Sequence, residues 1–67
     1  MEREIETMIA NAVEMIADHK ISRDDGIEAV VNGLHQMGIT RTASYEMEIV
    51  RRLEVHKAAL LEKLKKM

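Results

Sequence analysis

The chain has 67 residues and no cysteine. One small domain of this size covers only about 60% of the surface its unfolded form exposes, and neither a disulfide framework nor a thiolate metal site is on hand to staple it. Apolar residues make up 46% of the sequence and aromatics 1%, the lone Tyr45, and the net charge is -2. An interior of Ile, Val, Leu, Ala and Met is therefore expected, built from packed helices and enlarged by oligomerisation.

Ile5, Met8, Ile9, Ala12, Val13 and Ile16 follow one face of a helix, which predicts a first helix over about residues 2–19. Ser22 then has the form of an N-cap, with Asp24 and Asp25 in the following turn, where acids favour a helix start. A second helix over about residues 23–37 buries Ile27, Val30, Val31, Leu34 and Met37, and Gly38 falls where a left-handed residue would end it.

The third helix, about residues 41–66, is the longest, with Thr40 or Thr42 as its cap. Its apolar stripe runs through Tyr45, Ile49, Leu53, His56, Leu60, Leu64 and Met67, and a second row of Ala43, Met47, Val50 and Leu61 widens it. A helix of about 39 Å at about 1.5 Å per residue outreaches the other two, so part of this stripe needs a second molecule. The expected fold is all-α, a single domain over residues 1–67, forming an intertwined or bundle-like homodimer. Its seam would be Tyr45, Ile49, Leu53, His56, Leu60 and Leu64, with His56 at the edge of the contact or acting as a pH-sensitive element.

Charge is unevenly divided. Residues 1–30 hold eight acids and three bases, residues 31–67 four acids and seven bases. This order complements the helix dipoles at the two ends of the chain. The basic half is also where nucleic acid or an acidic protein would be met. No stretch approaches the roughly 20 consecutive apolar residues of a membrane span, and Met1-Glu2-Arg3-Glu4 lacks the basic start of a signal peptide. A soluble, cytoplasmic protein is expected.

Little in the sequence supports catalysis or cofactor binding. In Ser22-Arg23-Asp24-Asp25-Gly26 the acids precede a glycine as in a calcium loop, but with Gly26 at the sixth position the first and third ligands would be Ile21 and Arg23, which cannot coordinate calcium. His19, His35 and His56 have no ligand partner three or four residues away. Ser22 and Ser44 stand in no nucleophile motif, and no glycine-rich phosphate loop is present. No enzyme activity, cofactor or metal is expected.

Gly26 and Gly33, seven residues apart with Ala29 between them, lie on one side of helix 2. Each glycine costs on the order of 1 kcal/mol relative to Ala in a helix, and close backbone approach would offset that. The approach is either an internal helix crossing or a groove for a partner's helix formed by Gly26, Ala29 and Gly33.

The stretch Met37-Gly38-Ile39-Thr40-Arg41-Thr42-Ala43-Ser44-Tyr45 resembles the turn and recognition-helix start of helix-turn-helix regulators, in particular winged-helix domains of the biotin-repressor type. The resemblance covers nine residues and implies groove-facing roles for Thr40, Arg41, Thr42, Ser44 and Tyr45, with Arg41 reading guanine or phosphate. This sequence departs from the family pattern after Ala43, placing Ser44, Glu48 and Arg51 where apolar anchors belong. The function expected first is thus a small, non-enzymatic regulatory or adaptor protein that pairs with itself and occupies a surface of a larger protein. A dimeric helix-turn-helix DNA-binding regulator is the alternative.

Overall fold

Apolar residues three and four apart give each segment one face to bury, and the computed structural model, which describes residues 2–66, folds them as three helices: α1 (Glu2–Ala17), α2 (Arg23–Gln36) and α3 (Ala43–Lys65). Among the described residues there is no strand. Ile5, Ile9 and Ala12 of α1, Val30 and Leu34 of α2 and Ile49 of α3 make the buried core, with Leu34 and Ile49 wholly enclosed. Met8, Val13, Ile16, Ile27, Tyr45 and Leu53 pack around it at partial exposure.

The helix ends follow from local chemistry. α1 stops two residues earlier than its apolar pattern suggests because His19 takes the left-handed conformation, φ 60°. The Lys20 amide then donates to the Met15 carbonyl at 2.9 Å and the His19 amide to that of Ile16 at 3.0 Å, which is the Schellman arrangement with His in the place usually held by Gly. α2 starts as expected, with the Ser22 hydroxyl accepting from the Asp25 amide at 3.1 Å. It ends in the same Schellman arrangement at Gly38, φ 86°, where the Ile39 amide donates to Leu34 and the Gly38 amide to His35.

α3 begins at Ala43, so Thr40 and Arg41 stand before the helix. Thr42 occupies the cap position in a helical conformation, and its hydroxyl donates to the Glu46 carboxylate at 3.0 Å instead of accepting from a free backbone amide.

α1 packs along both other helices, whereas α2 and α3 meet only briefly. From Glu54 to Lys66 every residue is exposed, which leaves about 20 Å of helix, at about 1.5 Å per residue, beyond the body. The molecule measures 46 × 20 × 18 Å with a radius of gyration of 13.1 Å, against about 11 Å for a compact domain of this length. Met67, the end of the expected stripe, lies outside the described residues.

Candidate interaction surface

The stripe expected to form a seam is divided by the fold. Ile49 is 0% exposed inside the chain's own core, and Tyr45 and Leu53 are half-buried against it. His56, Leu60 and Leu64 lie on the projecting half and are exposed. Leu60 is 48%, Leu61 52% and Leu64 65% exposed. A helical period keeps Leu60, and at its edge Leu64, in line with the buried part of α3, while Leu61 continues the neighbouring row of Met47 and Val50, so the apolar face extends past the point where α1 and α2 cease to cover it.

On the body, Met47 of α3 is 71% exposed. It lines an open groove between α2 and α3 with Ile27, Val50 and Glu54, and a neighbouring depression continues past Val50 and Glu54 to Lys57 and Arg23. The groove lies where α2 and α3 meet only briefly. Met47 belongs to the second apolar row of α3, which sequence periodicity recognises as apolar without saying which row α1 and α2 leave open.

The small residues of α2 face α1. Gly26 is buried, and a Cβ there would lie 2.5 Å from Cδ1 and 2.8 Å from Cγ1 of Ile16, and 3.2 Å from Cδ1 of Ile21. A Cβ on Gly33 would meet Cε of Met8 at 2.5 Å. Gly26 and Ala29 line a depression with Met8, Ala12, Met15 and Ile21. The close approach at both glycines is thus an approach to this chain's own α1 and the turn after it.

The residues of the DNA-binding reading are scattered in environment. Thr40, Arg41 and Ser44 are exposed, Thr42 is turned to Glu46, and Tyr45 packs beside Ile5 and Arg52. The arginines farther along α3 are engaged by carboxylates. Arg51 pairs closely with Glu48, and Arg52 donates to Glu48 at 2.9 Å while its other end pairs with Glu6 of α1 at 2.7 Å. Hydrogen bonds from Arg51 and then Arg52 hold the Glu48 carboxyl down at about 2, from an ordinary 4.5. The same bonds raise both guanidinium groups above their ordinary value.

Among the described residues no group of three or more His, Cys, Asp or Glu is placed to hold a metal ion, and no helix is long and apolar enough to cross a membrane. Comparison with protein-family models, with curated proteins and with solved structures gives no match.

Proposed function

We propose that this chain is a small, non-enzymatic interaction protein that pairs with itself and regulates or adapts a larger protein, using the projecting half of α3 as its contact element. One observation carries the reading. Leu60, Leu61 and Leu64 stand exposed on a helical segment that no other part of the described chain supports. Isolated helices shorter than about 12–15 residues are marginal in water, and apolar side chains gathered on one helical face gain by being covered, at roughly 25 cal/mol per Å² of apolar surface removed from water.

The charge arrangement favours a protein contact over a nucleic-acid one. Glu48 engages both Arg51 and Arg52, and Glu6 pairs with Arg52 as well, so two bases on α3 are balanced by two carboxylates beside the residues of the DNA-binding reading. A duplex-binding surface draws its affinity from bases free to meet phosphates.

Light scattering on Leu61→Asp and Leu64→Asp tests the reading. Each places a charge on the projecting face and none in the core, so association is expected to be lost while helicity and cooperative unfolding of the body persist. Unchanged mass and unchanged partner capture in both variants would contradict it.

A further inference from the structure

α1 and α2 cover the side of α3 that bears Tyr45 and Ile49, which leaves a different row of that helix open along its whole length. Met47, Val50, Glu54, Lys57, Leu61 and Leu64 follow one another at intervals of three, four, three, four and three residues. That is the spacing of a coiled-coil seam. Five of the six are exposed, and Val50 is half-buried.

The row reads the same in chemical kind from either end. Apolar residues occupy the two outer positions on each side, and Glu54 and Lys57 occupy the centre. A two-fold axis crossing the helix between Val55 and His56 maps Met47 onto Leu64, Val50 onto Leu61 and Glu54 onto Lys57.

We propose that a second copy of this chain lies antiparallel along this row, with its Leu61 and Leu64 seated against Val50 and Met47 in the groove beside Ile27. The proposal rests on the self-pairing reading above and specifies its face and register. Charge complementarity selects the occupant and the direction. Antiparallel, Glu54 of each copy meets Lys57 of the other, giving two ion pairs at the centre. Parallel, Glu54 would face Glu54 and Lys57 would face Lys57, and like charges across a seam are destabilising.

Groove and ridge also belong to the same molecule. The groove lined by Ile27, Met47 and Val50 is open, and the leucine ridge that fits it projects from the other end of the same helix. A two-fold contact uses both on each copy and closes as a dimer. The central charged pair fixes the register, because sliding one helix by a heptad sets Glu54 and Lys57 against Leu64 and Leu61 in one direction and against Val50 and Met47 in the other.

The absence of cysteine from the sequence makes cross-linking a clean test. Full-length Met47→Cys and Leu64→Cys variants are prepared and oxidised, first separately and then mixed. Antiparallel pairing holds position 47 of one copy about 26 Å from position 47 of the other, at about 1.5 Å per residue along the helix, and likewise for position 64. Both separations are far beyond disulfide reach. Each variant alone is expected to stay uncross-linked, and the mixture to yield a disulfide-linked heterodimer. Glu54→Lys is expected to weaken the dimer about tenfold, and Glu54→Lys with Lys57→Glu in the same chain to restore it.

Cross-linking of either variant with itself, or a double charge exchange that restores nothing, would overturn the register while a persisting dimer mass left self-pairing intact. A monomer mass for the unaltered protein throughout the micromolar range would overturn both. Capture of a different helix in the groove by a monomer falls under that second outcome.

Discussion

Gly26 of α2 lies so close to Ile16 of α1 that a Cβ on the glycine would stand 2.5 Å from the isoleucine Cδ1 and 2.8 Å from its Cγ1. Ile is β-branched and stiff at χ1, and Ile21 closes the remaining side at 3.2 Å. Gly26→Ala is therefore expected to destabilise the fold by about 1–2 kcal/mol, overpacking outweighing the gain in helix propensity of on the order of 1 kcal/mol. Denaturant unfolding measures this, and a midpoint raised above that of the unaltered chain would show that the crossing is not tight.

Gly33 is expected to behave in the opposite way. Its added Cβ would meet only the terminal methyl of Met8, with Sδ at 3.6 Å, and a methionine side chain can swing aside at little cost. Gly33→Ala should raise stability by up to about 1 kcal/mol. A loss comparable to that of Gly26→Ala would mean that Met8 is pinned.

His19 closes α1 from a left-handed conformation that costs a non-glycine residue roughly 1–2 kcal/mol. His19→Gly is expected to stabilise the chain by about 0.5–1 kcal/mol, the relief of strain being partly offset by the greater freedom of glycine in the unfolded state. Thermal unfolding gives the sign, and a lowered midpoint would contradict a strained cap.

The second helix was more legible in the sequence than the ends of its neighbours. Ser22 carries a hydroxyl that can accept from a free backbone amide, Gly38 lacks the Cβ that disfavours the left-handed region, and both act as read. The end of α1 was not legible because His19 performs the role of a glycine. At the start of α3 Thr42 holds the cap position, one of the two expected, but its hydroxyl is taken by Glu46 one turn on and makes no bond to a free backbone amide. Most consequential is the face of α3. Periodicity finds its apolar rows, but only packing decides that the Tyr45 and Ile49 side is covered by α1 and α2 while Met47 remains open.

The clamp on Glu48 makes stability pH-dependent in a defined window. A carboxyl held at about 2 in the folded chain contributes stability that is fully present above its ordinary value of 4.5 and is lost as pH falls from there towards 2. Glu48→Gln should flatten that part of the stability profile and leave its slope above about pH 5 close to that of the unaltered chain. An unchanged slope between pH 4.5 and 2 would mean that the Arg51 and Arg52 bonds do not persist in solution.

Binding to generic duplex DNA is expected to be negligible at physiological ionic strength, and Arg41→Ala should change neither fold nor association state. Phosphate contacts would appear as an affinity falling steeply with salt. Such a slope, abolished by Arg41→Ala, would return the helix-turn-helix resemblance to first place.

Hydrogen exchange along α3 as a function of protein concentration tests most directly whether the projecting half is covered by a second copy. An uncovered, solvated helix of this length opens readily, whereas one packed in a dimer exchanges only through dissociation or unfolding. Amides from Val55 to Leu64 are expected to be protected at high concentration nearly as well as that of Ile49, and to lose protection on dilution while Ile49 keeps it. Rapid exchange from Val55 to Leu64 at every concentration would contradict self-association through α3.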